Sequence, residues 1–198
     1  EINSTTKGFL PPRVTSAQRN AITSPPEGLI VYDLDCDNLY VYTADISGSY
    51  WKNINLGEPT LQIFNYTGGD QSIVVPSCAT YAIVRIWGAG GAGTGSSAPG
   101  DASGGSGGYI NARIPVTAGN TLIIVVGEGG DRSGGGTYAG GGSGINGESG
   151  DGGGYSGVFN ISKTHANALV GAGGGGGGGD GENGYSNYFG GAGGSTTG

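Results

Sequence analysis

Three short patterns in this chain could carry chemistry, and each is tested against the geometry that chemistry needs. Gly88-Ala89-Gly90-Gly91-Ala92-Gly93 has the GxGxxG spacing directly after the apolar run YAIVRIW. That spacing holds a pyrophosphate only where the last glycine opens a helix, with an acidic residue closing a second strand about 20 residues on. Here TGSSAPGDASGGSGG follows and cannot form the helix, and YINARI offers no acid. No glycine tract ends in the Gly-Lys-Ser/Thr of a phosphate loop. Asp33, Asp35 and Asp37 form a DxDxD run that invites calcium through hard oxygen ligands. Asn38 and Ala44 stand where a calcium loop of that type needs glycine and an acid, so a polar hairpin turn is the better reading.

His165, in SKTHANA, is the only histidine. A metal site built on it would need carboxylates or both cysteines, and no spacing suggests one. Nucleophilic Cys/His chemistry would require Cys36 or Cys78 to meet His165 across the fold, which the sequence neither shows nor forbids. No paired carboxylates stand out. The expectation is a non-enzymatic protein without cofactor or metal. The two cysteines could form one disulfide, Cys36 with Cys78, or stand as two small buried thiols; both readings stay open, and with them the redox compartment.

Aromatic residues supply a different chemistry, that of recognition. Tyr32, Tyr40, Tyr42, Tyr50, Tyr81 and Tyr109 sit in strand patterns and read as packing residues. Tyr138, Tyr185, Tyr188 and Phe189 lie within glycine tracts, where no strand needs them. Rigid aromatics on loops suit contacts with proteins and sugar faces, and loops 131–139 and 183–190 would present them, Arg132 included. The alternative is that they cap the ends of glycine segments.

What must position these residues is an unusual backbone. Of 198 residues, 48 are glycine, against an ordinary share of roughly 7%. Glycine does not recur strictly every third residue, which excludes collagen. Eight basic residues against 15 acidic ones give a net charge of −7 with no basic cluster, so a nucleic-acid partner is not expected. No apolar run approaches the ~20 residues that span a bilayer, and no signal peptide is present, so membrane insertion is not expected. The chain begins at Glu1, lacks methionine and ends in a glycine tract, and it reads as a piece of a longer or processed protein whose glycine-rich part is incomplete at the carboxy terminus.

Glycine use divides the chain. Only Gly8, Gly28, Gly48 and Gly57 fall in residues 1–57, and the other 44 fall in 58–198. In 1–57, Thr15-Ser16-Ala17-Gln18 has capping-box spacing and predicts a short helix through about Ile22, stopped by Ser24-Pro25-Pro26. The runs at 29–33, 38–43 and 50–54 predict a small antiparallel meander. In 58–198, apolar runs at 61–66, 72–75, 81–87, 109–116, 121–126, 155–161 and 167–170 predict the strands of a β-sandwich. Alternation turns Ala82, Val84 and Ile86 one way and Ile83, Arg85 and Trp87 the other.

Five glycine tracts, around 88–95, 100–108, 127–136, 140–154 and 171–194, separate these runs. As flexible linker each ordered glycine would cost on the order of 1–2 kcal/mol. Yet strands flank the tracts on both sides, and serine is absent from Gly173–Gly179. The tracts therefore read as extended, three-residue-per-turn segments packed side by side, each satisfying the backbone groups of its neighbours. The fold class expected is all-β: a small antiparallel β-meander with one short helix in 1–57, then a β-sandwich bearing a bundle of polyglycine-II-type helices in 58–198.

Two resemblances follow from these residues. FNYTGGDQSIVVP…IVRIWGAGGAG…GGYINARIPVTAGNTLIIVVGEGG…YSGVF…ALVGAGGGGGGG, over 61–198, resembles a glycine-rich domain of bacterial, phage and large-virus surface proteins. It is also similar to the extracellular glycine-rich domain of the anaplastic lymphoma kinase receptor family. That resemblance implies a β-sandwich with bundled glycine helices. STTKGFLPPRVTSAQRNAI…GLIVYDLDCDNLYVY…YWKNI, over 3–54, resembles a module recurrent in phage tail fibres and in large-virus or bacterial surface proteins. Cys36 departs from the Thr- or Asn-containing turn usual there. This second resemblance implies a structural connector of a virion fibre, often a homotrimer.

The resulting expectation is a tail-fibre component on the virion surface. Its partners would be itself, other virion proteins and a host surface protein or glycan; a capsid- or cell-surface filament without receptor binding is the alternative.

Overall fold

Thr15 starts the first helix as its spacing predicts. Its hydroxyl accepts the Gln18 amide at 3.1 Å, and the Gln18 side chain accepts the Thr15 amide at 2.9 Å. The resulting α1, Ser16–Asn20, ends slightly before the expected Ile22. The structure, a computed structural model, describes residues 8–45, 48–54, 61–94, 102–144, 148–179 and 188–197. The chain divides into two units, Glu1–Leu61 and Gln62–Gly198.

The first unit is a four-stranded sheet in the order β1 (Arg13–Val14), β2 (Ile30–Asp33), β3 (Asn38–Asp45) and β4 (Gly48–Asn53). β2, β3 and β4 form the antiparallel meander, while β1 adds a parallel edge: Pro12 and Val14 carbonyls accept the Tyr32 and Leu34 amides at 2.8 Å. Pro11 and Pro12 hold the entry extended, which lets it pair. Val31, Asp33 and Tyr40 are buried on the face under α1, whereas Phe9, Leu10, Leu34 and Tyr50 remain exposed. So small a module buries little apolar surface by itself.

The second unit sets two sheets against each other. The larger has the order β11 (Ser195–Thr197), β10 (Ala168–Ala172), β9 (Ser156–Asn160), β8 (Thr121–Val125) and β5 (Gln71–Val74), antiparallel throughout. The smaller is a ribbon of β6 (Tyr81–Trp87) and β7 (Tyr109–Pro115). Ile86 and Ile114 of the ribbon pack against Val75, Leu122, Val158, Val170 and Ala172. Burying each large aliphatic side chain contributes about 1.5–3 kcal/mol. Residues 61–66, expected as a strand, are irregular: they enter no strand pairing among the described residues, the Asn65 carbonyl accepts the Gln71 side-chain amide at 2.8 Å instead, and Leu61 and Ile63 are exposed. β11 was not foreseen, because three residues carry no readable period.

Between the strands, the glycine tracts pair with one another at an interval of three residues. From 88–94, Gly88, Gly91 and Thr94 donate to Gly108, Gly105 and Ala102 at 2.8–2.9 Å, while Ala89 and Ala92 donate to Gly154 and Asp151. Segment 150–155 reaches three neighbours in rotation. Gly150 and Gly153 donate to Gly178 and Gly175, Asp151 and Gly154 to Asp131 and Glu128, and Gly152 and Tyr155 to Gly142 and Ala139. From 173–179, Gly173, Gly176 and Gly179 donate to Gly194, Gly191 and Tyr188, and Gly175 and Gly178 to Ala89 and Ala92. Along such a tract the direction in which the bonded amides donate thus repeats every third residue. The close approach demands glycine: a Cβ on Gly174 would lie 1.8 Å from the Gly153 carbonyl oxygen.

Candidate functional site

The patterns that suggested chemistry are absorbed by the fold. In 88–93 the amides of Gly88, Ala89, Gly91 and Ala92 already donate to protein carbonyls. The three aspartates of the DxDxD run face different donors. Asp33, fully buried, takes the Ser16 hydroxyl at 2.8 Å, the Asp35 and Cys36 amides, and the Arg19 guanidinium at 2.8 Å. Asp35 takes the Ser16 amide, and Asp37 takes the Tyr32 hydroxyl, which raises the Tyr32 pKa above its ordinary value. Among the described residues, no group of three or more His, Cys, Asp or Glu side chains is placed to hold a metal ion. His165 is exposed at the start of a one-turn 3₁₀ helix, and neither Cys36 nor Cys78 is a free thiol.

The aromatic candidates separate into two places. Tyr138 is the centre of the first. Its hydroxyl donates to Asp70, its amide donates to Glu128 at 2.7 Å, its ring lies 6.1 Å from that of Tyr66, and Lys163 Nζ stands 5.4 Å from its centroid. Lys163 also meets Asp70 at 2.9 Å. The Tyr138 hydroxyl, then Lys163, hold the Asp70 carboxyl below its ordinary pKa; partial burial, then Asp70, push Tyr138 up. Burial and Glu128 raise Tyr66 likewise. The result is a surface of two neighbouring rings with a carboxylate and an ammonium against that of Tyr138.

Arg132 is exposed on the adjoining loop. That loop is pinned by two carboxylates: Asp131 takes the Ser133 amide at 2.8 Å, and fully buried Asp151 takes the Ser133 hydroxyl and the Gly144 amide. The Ser133 amide and hydroxyl, then Asp151, lower the pKa of Asp131. Tyr188 and Phe189 form the second place, 62% and 70% exposed, with Tyr188 bridged to Gly179 through their backbones. Segment 137–144 pairs with 150–155, which pairs with 173–179, which pairs with 188–194. Two tracts therefore separate Tyr138 from Tyr188. Tyr185 lies outside the described residues.

Three tyrosines read as packing residues are placed otherwise, the exposed Tyr50 of β4 being the first. Tyr81 and Tyr109 stand half-exposed on the outward face of the β6–β7 ribbon, because Tyr81 shares the parity of Ile83, Arg85 and Trp87, and Tyr109 pairs with Trp87. Period-two alternation carries that information, whereas the β-propensity of tyrosine does not.

The comparison with known families now has a structure to attach to. Residues 1–69 match the family model described as the phage tail like trimerisation region. Over that stretch the chain is similar to a tail-fibre-type module, and the similarity supports a structural virion component that self-associates as a trimer. The exposed apolar residues of the first unit agree with a module that completes its burial against copies of itself. No curated protein and no solved structure matches the chain.

Proposed function

We propose that the chain is a non-enzymatic component of a virion tail fibre, in which three copies associate through residues 1–69 and carry the glycine-rich unit to the host surface. The match of 1–69 to a trimerisation region carries this reading. The glycine tracts form a polyglycine-II-type block, supported by the three-residue recurrence of their hydrogen bonds. Such a block is stiff, because each tract is held on several sides, and it offers loops as fixed contact points. Arg132 and Tyr138 at one place, and Tyr188 and Phe189 at another, are the proposed contacts with a host protein or glycan, and Tyr185 is proposed with them on its sequence alone. Three copies turn weak single contacts into avidity.

Light scattering on the full chain tests the assembly: a mass of three chains is expected, and a monomer refutes it. Binding of the full chain to host cells and to a glycan array tests attachment. Saturable binding weakened by Tyr188→Ala with Phe189→Ala is expected. Undetectable binding would favour a second reading, a purely structural capsid- or cell-surface filament. One observation favours that second reading: the polar groups of Tyr138 are engaged by Asp70 and Glu128 inside the unit itself.

A further inference from the structure

We infer that the groove walled by segments 140–144, 149–153 and 174–179 is a binding site for one further extended, glycine-rich peptide segment, supplied by another protein. The inference rests on the block of packed tracts proposed above and needs neither the trimer nor the host contacts.

The hydrogen bonds of 173–179 leave one row of groups over. The amides of Gly173 and Gly176 donate to Gly194 and Gly191, and those of Gly175 and Gly178 to Ala89 and Ala92. The carbonyls of Gly173 and Gly176 accept from Gly108 and Gly105, and those of Gly175 and Gly178 from Gly153 and Gly150. Gly174 and Gly177, three residues apart, have neither amide nor carbonyl bonded among the described residues. On the facing segment, the carbonyls of Gly150 and Gly153 accept no hydrogen bond among the described residues, although both residues are buried. Those two residues are again three apart. All four line the same groove, which encloses about 460 Å³.

Three observations fix the chemistry of the occupant. The first is the lining. Among the described residues it is glycine throughout, apart from the hydroxyl side chains of Ser143 and Ser149, so no aromatic, aliphatic or charged group is there to hold a small molecule or a sugar face. The second is the period. Free donors and free acceptors each recur every third residue, or about 9.3 Å along an extended three-residue turn, and a backbone in that same conformation returns its own groups at that spacing. A β-strand, repeating about every 6.7 Å, does not. The third is the company that 173–179 already keeps: its bonded groups all meet glycine-rich backbone, at a distance where a Cβ on Gly177 would lie 1.9 Å from the Gly150 carbonyl oxygen. An occupant of the groove must therefore be glycine wherever it meets a wall. Its affinity would come from main-chain hydrogen bonds, as when a peptide adds to an exposed sheet edge. The described tracts of this chain are each paired on two or more sides, so an unpaired segment of another protein enters at lower cost than a tract drawn out of a second copy.

The test is amide-resolved hydrogen exchange, read by NMR on the isotope-labelled full chain, alone and with a synthetic oligoglycine peptide carrying a lysine at each end. Alone, Gly174 and Gly177 are expected to exchange fast, while Gly175 and Gly178, bonded to Ala89 and Ala92, exchange slowly. The peptide is expected to slow Gly174 and Gly177 about tenfold once roughly nine-tenths of the sites are filled, because each then exchanges only from the empty fraction. A peptide with alanine at every second position is expected to have no effect. Gly142→Leu, on the groove wall where an added Cβ meets nothing within 4 Å, is expected to keep Gly175 and Gly178 slow and to abolish the peptide effect. If Gly175 and Gly178 are slow but Gly174 and Gly177 ignore the peptide, the inference is overturned and the block stands. A peptide effect that survives Gly142→Leu also overturns it. So does slow exchange of Gly174 and Gly177 in the chain alone, the sign that a second copy already fills the groove. Fast exchange at all four glycines overturns the block and the inference together.

Discussion

Arg19 and Asp33 hold helix α1 onto its sheet: NH1 of the guanidinium stands 2.8 Å from Oδ2 of a carboxylate that is fully buried, and the same guanidinium lies 4.0 Å above the Tyr40 ring. The contact is a close charge pair without hydrogen-bond alignment at NH1, so its strength is Coulombic and grows with burial. Breaking a buried pair by removing one partner costs about 3–5 kcal/mol. Asp33→Ala is therefore expected to lower the stability of the first unit by that order in urea unfolding. Arg19→Met is expected to cost less, because Asp33 keeps the Ser16 hydroxyl and the Asp35 and Cys36 amides as donors. Equal effects would show that these hydrogen bonds add nothing to what the charge pair contributes.

Asp70, Tyr138 and Lys163 predict a pH response of the second unit with a definite sign. The carboxyl of Asp70 sits below its ordinary value of 3.8, so its contribution is present above that pH and is lost as pH falls through the folded value. Lys163 is raised above 10.5, first by the hydrogen bond to Asp70, so its contribution is full below that pH and disappears as pH rises further. The cluster should thus hold across the neutral range and loosen at both extremes. NMR titration of the Tyr138 ring resonances checks this: Asp70→Asn is expected to abolish the acid-side change, and a ring insensitive to pH in the parent chain would refute the coupling.

The two cysteines give a chemical prediction. Neither is a free thiol, and the pairing that the sequence leaves open is Cys36 with Cys78. Alkylation of the native chain should label neither until a reductant is added, and non-reducing peptide mapping should return one cross-linked pair within a single chain. Chains joined to each other through these cysteines would contradict that pairing. Reduction is expected to leave the trimer mass unchanged, since the proposed association runs through residues 1–69 and needs no covalent link.

What could be read in advance depended on how local the signal was. The capping box at Thr15 and Gln18 lies within four residues, and the helix formed there. The alternation of Ala82, Val84 and Ile86 against Ile83, Arg85 and Trp87 survives unchanged in β6, because period two is a property of the strand itself. LQIFNY carried the same kind of signal and forms no strand among the described residues, since strand pairing is decided by distant residues. In the tracts, the non-glycine residues do mark the repeat: Ala89 and Ala92, Ser103 and Ser106, Glu128 and Asp131 are each three apart. Which tract neighbours which was unreadable, because glycine has no side chain to specify a partner. Arg132, Tyr138 and Tyr188 were legible as unusual residues, but their separation by two tracts is a product of that unreadable order.

The decisive prediction concerns single methyl groups. If the tracts are a packed lattice, alanine has opposite effects at two kinds of glycine. A Cβ at Gly174 meets the Gly153 carbonyl oxygen at 1.8 Å, and one at Gly177 meets that of Gly150 at 1.9 Å; these are backbone atoms that cannot swing aside. At Gly129 and Gly142 a Cβ meets nothing within 4 Å, and neither residue has a positive φ. Overpacking a filled interior costs typically about 1–3 kcal/mol and sometimes more. An unstrained Gly→Ala exchange instead stabilises by about 0.4–1 kcal/mol, through the lost freedom of the unfolded chain. Gly174→Ala should therefore lower the unfolding temperature and speed amide exchange across 173–179, while Gly142→Ala leaves both unchanged or slightly improved. A flexible tether would treat the two substitutions alike, with fast exchange in the parent chain, and that outcome would remove the lattice and the fixed recognition loops together.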